Sequence, residues 1–420
     1  MKHSVLVLAL GLAILVGTFS GCVKKPDPSV FDPNWQSLPA PTITSLSPPG
    51  SALAGVTIVT VTGTNFSSTP VNNLVYFGSA PGTILTASPT TLTVKAPLVV
   101  GDTMLVTVSV IGAQALSNYV PYNLKSAVYR FSVPTKGEDA FGIACDAAGF
   151  VYVSLVDSAS GNGTGTWRIS PAQINAKRDT ANAHLYSATG GVTKWSGLKM
   201  GPGGILYAAR DLQAIYRIPA GGGPAGSPPW ALFSPGTIKI HDFDFDANHN
   251  IWAGGTQGSG PGSAIYRLTP TTPPQIKAFP FVATCRSFRV YNGSLYVSAK
   301  TDSLEGVWQF PIVSSDSLGP PTKYVDFSAK YAPNGPSVQC ITFSSDGDLF
   351  MGTDAPEGII VVHQGGASEP LYPGVIFPTA VAFAWGTGSN LFVSRNAPTN
   401  PHSILVINTL KQSAPYYGLQ

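Results

Sequence analysis

The stretch Gly142-Ile143-Ala144-Cys145-Asp146-Ala147-Ala148-Gly149-Phe150-Val151-Tyr152 reads as an apolar run, a tight turn and a second run that opens near an apolar-aromatic pair. Asp at the start of the turn and Gly at its end predict two short strands folded back on each other. The pair Val151-Tyr152 returns as Leu206-Tyr207, Ile251-Trp252, Leu295-Tyr296, Leu349-Phe350 and Leu391-Phe392, at steps of 55, 45, 44, 54 and 42 residues. Each has a strand-forming run upstream: Gly197 to Met200, Phe243 to Phe245, Phe288 to Val290, Ile341 to Phe343 and Val381 to Phe383. Turn sequences such as Asn292-Gly293 and Asp346-Gly347 lie between the two. A third run follows each pair, from Trp167 to Ile169 in the first unit to Ile404 to Ile407 in the last, and room remains for a fourth. Four short strands in a unit of about 48 residues, repeated six times, predict a closed ring of six β-blades over residues 126–420.

The run Val128 to Val133 precedes the first unit and has the character of a detached outer strand. It is expected to complete the last blade, tying the two ends of the ring together so that no sheet edge is left open. A strand, Asp-x-x-Gly and a Tyr-rich second strand together resemble the NHL and SMP-30/gluconolactonase group of β-propellers. The resemblance implies that the starts of the innermost strands form a ligand face. The residues there are Glu138, Asp139, Lys194, Trp195, His241, Asp242, Cys285, Arg286, Gln339 and Thr379. Lactonases of the SMP-30 group hold a divalent metal such as calcium with one Glu, two Asn and one Asp. Only Glu138 and Asp242 match, while His241 and Gln339 or Ser337 stand where Asn is wanted, and Lys194 and Arg286 oppose a cation. No cofactor is therefore expected, with a calcium-type metal on Glu138 and Asp242 as the weaker alternative.

Along the middle of the innermost strands the aligned positions are Ala144, Lys199, Asp244, Arg289, Thr342 and Ala382, which predicts an ion-paired ladder of Lys199, Asp244 and Arg289. Its ordinary role would be registry between blades, and its sharper one an anion-binding floor. Asp242, Asp244 and Asp246 alternate with Phe243 and Phe245 and so share one strand face, with Asp246 expected to form the turn. Cys285 and Cys340 stand at similar places in adjacent units and could be bridged, whereas Cys145 reads as a small buried apolar residue. No Gly-x-Ser-x-Gly elbow or phosphate loop is present, and no catalytic residue is assigned.

Residues 41–124 carry short alternating runs separated by Gly, Pro, Asn and Ser, with no helical period. About seven strands in about 85 residues predict a β-sandwich. Ile43-Thr44-Ser45-Leu46-Ser47-Pro48, Gly55, Val61-Thr62-Gly63-Thr64-Asn65-Phe66, Val75-Tyr76-Phe77-Gly78 and Val94-Lys95-Ala96-Pro97 together resemble the IPT/TIG family of immunoglobulin-like domains. Gly63 and Asn65 are expected in a turn of positive φ, with Phe66 over the core. The resemblance implies a spacer or interaction module.

Residues 1–22 have a basic start, an apolar run from Val5 to Val16 and small residues before Cys22, the parts of an export signal. Phe19-Ser20-Gly21-Cys22 resembles a bacterial lipobox, which implies lipidation of Cys22 and an anchor on a membrane, by Val23 the outer one. Residues 23–40 are rich in proline and read as a semi-rigid tether, with Phe31 and Trp35 expected to pack. Charged residues are 11% of the 420, against about 25% in an average domain, and net charge is +3, so a basic nucleic-acid footprint is absent. The expected protein is all-β, an immunoglobulin-like sandwich followed by a six-bladed β-propeller. It would sit in the bacterial cell envelope, anchored to the membrane by lipid, and bind a glycan or an envelope protein. Trp195, Trp230 and Trp385 are the candidate sugar-stacking residues. A metal-dependent hydrolase and a plain scaffold are the alternatives.

Overall fold

The structure, a computed structural model, describes residues 36–419 apart from 132–136, 171–182, 189–193, 260–262, 303, 332–334, 376, 378, 387 and 396–402. The export signal, Cys22, Phe31 and Trp35 lie outside the described residues.

Residues 42–125 form two facing sheets. One orders Thr42–Ser47, Ile58–Thr64, Thr91–Lys95 and Thr83–Ala87; the other orders Ser51–Leu53, Val120–Lys125, Gly101–Val110, Asn73–Phe77 and Ala80–Pro81. Alternation along each strand sends Val59, Val61, Val75, Phe77, Leu92, Val94, Val106 and Val108 into a core closed to water. Asn65 has the expected positive φ of 60°, but Gly63 does not. Gly63 is required for another reason: a Cβ there would stand 1.9 Å from the Thr42 carbonyl oxygen and 2.5 Å from the ring of Phe66.

The later unit is the six-bladed propeller. Blades 1 to 3 order Glu138–Cys145, Val151–Asp157, Gly163–Ile169 and Ala183–Ser187; Gly197–Met200, Leu206–Ala209, Ala214–Ile218 and Ala231–Leu232; and Ile238–Phe245, Ile251–Gln257, Ile265–Leu268 and Ile276–Phe279. Blades 4 and 5 order Thr284–Tyr291, Ser294–Lys300, Glu305–Ser314 and Thr322–Asp326; and Val338–Phe343, Leu349–Thr353, Ile359–Val362 and Ser368–Pro370. Blade 6 takes Ala380–Trp385, Asn390–Arg395 and Ser403–Asn408 from the C-terminal end and its outer strand, Val128–Arg130, from the start of the unit. Val128, Tyr129 and Arg130 pair with Ile407, Val406 and Leu405, so the expected closure of the ring is present.

The core lies between blades rather than within one body. Tyr207, Phe243 and Trp230 fill the space between blades 2 and 3, and Cys340, Phe350 and Phe383 that between blades 5 and 6. Trp195, Trp230 and Trp385 belong to these layers, at 2%, 8% and 8% exposure, so the sugar-stacking role expected of them does not hold. Aromatic pairs at 4.4 to 6.5 Å, such as Tyr291 on Phe343 at 4.4 Å, fill volume between sheets instead.

Five of the six innermost strands carry a β-bulge near their start: between Ala140 and Ile143, Ile240 and Asp242, Cys285 and Ser287, Val338 and Cys340, and Ala380 and Ala382. A bulge re-aims the extra residue out of the sheet alternation. The residues so placed include His241, Arg286, Gln339 and Val381, all at the end of the ring where the innermost strands begin.

Candidate functional site

Two cavities follow the axis of the ring. The upper one, at the mouth, is lined by Lys199, Asp242, Arg286, Ser287, Gln339 and Val381 among others. The lower one is ringed by Ala144, Lys199, Asp244, Arg289, Thr342 and Ala384. Ala384 rather than Ala382 completes that ring, since Ala384 pairs with Phe392 as Ala144 pairs with Tyr152 and Asp244 with Trp252.

The lower end is closed by the chain's own tail. Ala414 donates its amide to the Phe343 carbonyl, and Ser345 to that of Gln412. Arg289 donates through Nη2 to the Ala414 and Pro415 carbonyls at 3.3 and 3.1 Å and lies 5.5 Å above the ring of Tyr416. Gly418 passes so near the Met200 carbonyl oxygen that a Cβ would stand 2.3 Å from it. Burial pushes the Tyr416 hydroxyl far above its ordinary value.

The expected ladder of Lys199, Asp244 and Arg289 resolves into two separate pairs. Arg289 Nη1 donates to Asp244 Oδ2 at 3.0 Å, and the Val290 amide reaches the same oxygen at 2.7 Å. Lys199 instead faces Asp242 at 3.6 Å. The Asp242 carboxylate, one strand pleat nearer the mouth, also accepts from Ser287 Oγ and the Phe288 amide, both at 3.0 Å. Asp242 and Asp244 thus staple blade 3 to two successive inner amides of blade 4, which is the registry role. Burial raises the Asp244 carboxyl above its usual range against the pull of Arg289 and Lys199. Asp246 does form the turn, accepting from the amides of Asn248 and Asn250 and from Trp252 Nε1 at 2.9 Å.

Around the mouth Arg286, His241, Lys194, Gln339, Glu138 and Asp139 each have a partner. Arg286 donates to Glu305 Oε1 at 2.7 Å, and Glu305, raised by burial and lowered less by Arg286, also accepts the Val338 amide. His241 is gripped on both nitrogens, 2.8 Å from Asp211 Oδ1 and 2.8 Å from Thr256 Oγ1. Burial pushes the Asp211 carboxyl up, but His241, Lys194 and Lys239 outweigh it and hold the group below its usual value. Lys194 lies 4.7 Å from the Phe141 ring, and Gln339 donates to Asp354. Glu138 accepts from Thr164 at 3.0 Å and Asp139 from Ser158 at 2.6 Å. Trp195 is buried beneath this rim and is not part of the face.

The donor set expected for a metal does not converge. Glu138 is engaged with blade 1's third strand and Asp242 with Lys199 and blade 4, and no group of three or more His, Cys, Asp or Glu that could hold a metal stands together among the described residues. The possible bridge between Cys285 and Cys340 is absent, and both are free buried thiols. Cys285 packs with Trp252 and Phe288 between blades 3 and 4, while Cys340 packs with Phe350 and Ala380 between blades 5 and 6, so blade 4 and 5 strands separate them. Cys145 is buried as expected.

Neither the closing tail nor Asp211 was found from the sequence. The tail, Lys411 to Gln420, has no strand pattern, and its role depends on contacts across the whole ring. Asp211 lies in a short polar turn at φ 52°, and only the fold brings it to His241.

Residues 41–124 match the IPT/TIG domain family. No curated protein matches the chain. Among solved structures, a Bacteroides thetaiotaomicron protein of unknown function aligns over 90% of this chain and 100% of its own at 14% identity and a TM-score of 0.51. An auxiliary nutrient binding protein from the same organism covers 90% of this chain and 98% of its own at 11% identity, TM-score 0.48. A calcium-binding regucalcin from Agrobacterium tumefaciens covers 66% and 92% at 11% identity, TM-score 0.48. At these identities the likeness concerns fold. The chain is an IPT/TIG domain joined to a β-propeller.

Proposed function

We propose that the chain is an exported, lipid-anchored binding protein of a bacterial cell envelope. Its propeller mouth takes a glycan or a protruding part of an envelope protein, and its IPT/TIG domain serves as spacer. The observation that carries the reading is a blind channel: residues 412–418 close the lower end, while bulges set Arg286, Gln339 and Val381 in the lining of the open one. A channel closed at one end and polar at the other suits capture of a ligand end better than passage through the ring. Its charges are paired, so specificity would come from fixed donors and acceptors rather than net attraction. Export and anchoring rest on the signal, the lipobox-like Phe19 to Cys22 and the proline-rich tether.

The test is retention of the full chain, purified in detergent, on an array of bacterial envelope oligosaccharides. Selective retention by the wild type that is lost in Val381→Trp, which fills the mouth from its rim, supports a glycan in the mouth. Retention unchanged by that substitution contradicts it, and no retention on any oligosaccharide moves the reading to an envelope protein.

A further inference from the structure

A side cleft away from the mouth is larger than either cavity on the axis. Its volume is about 330 Å³, within the range of small-ligand pockets, and it is lined by Asp146, Ala148, Tyr152, Arg168, Tyr186 and the glycines around Gly203 and Gly221. The internal symmetry of the ring explains why it is there. In blades 1 to 3 the register sets an aromatic residue beside an arginine on the next strand: Tyr152 with Arg168, Tyr207 with Arg217, and Trp252 with Arg267. Each arginine leans toward the outer loop of the following blade.

Two of the three find a partner there. Arg267 reaches Asp316 Oδ1 at 2.6 Å and the Ser315 carbonyl at 3.0 Å in the loop of blade 4. Arg217 reaches Thr272 Oγ1 at 3.1 Å in the loop of blade 3. Arg168 faces the first part of the blade 2 loop, Pro219-Ala220-Gly221-Gly222-Gly223, which offers no polar side chain. Among the described residues its guanidinium contacts rings alone, 4.6 Å from the centre of Phe150 and 5.8 Å from that of Tyr186, and makes no hydrogen bond or ion pair with any of them. Space is kept open in front of it, since a Cβ at Gly203 or Gly221 would meet nothing within 4 Å. A half-buried guanidinium fixed by stacking presents its fork of donors already oriented, the geometry that binds a carboxylate through two parallel hydrogen bonds.

We propose that this cleft binds a sugar bearing a carboxylate, a hexuronate, with its carboxylate on Arg168 in the place that Asp316 takes on Arg267. The rest of the lining suits hydroxyl groups better than hydrocarbon. It offers the Asp146 carboxylate, which accepts from Tyr152 at 2.9 Å, and the peptide groups of the glycine turn Gly201 to Gly204. The apolar side chains at its edge are no larger than Met200 and Leu419, apart from the two tyrosine rings, which can take the face of a pyranose. The site is separate from the mouth and does not depend on what the mouth binds.

The experiment is titration of the full chain with D-glucuronate and D-galacturonate by calorimetry, with glucose and galactose as neutral counterparts. The proposal expects saturable binding of at least one uronate, weaker binding of its neutral counterpart, and a loss of about tenfold or more in Arg168→Gln, the effect of removing a charged hydrogen-bonding partner. Ala220→Trp, which fills the cleft from an exposed position, is expected to abolish binding as well. Thermal unfolding of each variant shows that the fold is intact. No uronate binding, equal binding of the neutral sugar, or binding untouched by both substitutions would overturn the proposal. Because the array test of the mouth reads a different variant, Val381→Trp, either reading can fail while the other stands.

Discussion

Arg289 and Asp244 are the residues on which the centre of the ring turns. Both are buried, at 6% and 0% side-chain exposure, and each is held chiefly by the other and by backbone, Asp244 through Oδ2. Exchanging such a pair for apolar residues can be neutral, but removing one partner leaves a bare buried charge. Arg289→Met is therefore expected to cost about 3–5 kcal/mol, read by denaturant unfolding. Arg395 is the opposite case. It is buried at 2% exposure with Nε and Nη2 unpartnered among the described residues, and burial, with Arg130 nearby, lowers its pKa. Arg395→Met is expected to raise the unfolding temperature, and a lowered one would show that the charge is satisfied in solution. His363 supplies a pH dependence. Its hydrogen bond to Asp348 at 2.7 Å raises its pKa, with Glu369 adding to the effect. A raised value means stability present below the ordinary pKa of about 6.5 and lost as pH rises through the folded one. The advantage of the wild type over His363→Gln should be full below about pH 6 and shrink as pH rises past the ordinary value of about 6.5 and through the raised one, in urea unfolding. Of these groups the sequence singled out only Arg289 and Asp244, because repeat alignment finds what recurs in register. Arg395 ends the second strand of blade 6 and His363 follows the third strand of blade 5, outside the aligned innermost positions.

At the scale of elements, the repeat made the strands legible and the bulges decided the rest. Local pattern is enough to find Ile251 to Trp252 or the turn at Asp246, since the chemistry that forms them is within a few residues. The bulges at Ile240 to Asp242 and Ala380 to Ala382 are not local in the same way. They add a residue at the mouth end of the innermost strands and turn His241 and Val381 out of the strand alternation, which no periodicity in the sequence announces. The tail shows the limit most clearly, because Ala414 to Gly418 has no periodicity and is held by Phe343, Arg289 and Met200, all far away in sequence. Truncation after Lys411 should remove Tyr416 from its burial and Arg289 from two carbonyl acceptors. The expected loss is about 3 kcal/mol or more, from burial of one aromatic side chain and the orphaned donors. Cys145, which lines the lower cavity, should then react with a thiol reagent in the folded protein. A truncated chain with wild-type stability and an inert Cys145 would show that the tail does not seal the channel.

For the whole molecule, composition and repeat arithmetic led to the two folds, and the ring closes as expected through Val128–Arg130. The ligand face was legible only in outline. Its positions follow from the repeat, but the charges at Arg286, His241 and Asp242 are already engaged by Glu305, Asp211 and Lys199, and Trp195, Trp230 and Trp385 serve the core. Function at this scale also includes where the protein sits. Cys22→Ser is expected to move the chain from the membrane fraction to the soluble exported fraction, and unchanged membrane association would contradict lipid anchoring. The central claim is that the mouth of a channel sealed from below captures an envelope ligand. Its most direct measurement is the affinity of the full chain for the oligosaccharide best retained on the array, compared with Val381→Trp. The account predicts saturable binding by the wild type and a loss of tenfold or more in the variant. Equal affinities would place the ligand elsewhere on the protein and contradict the claim.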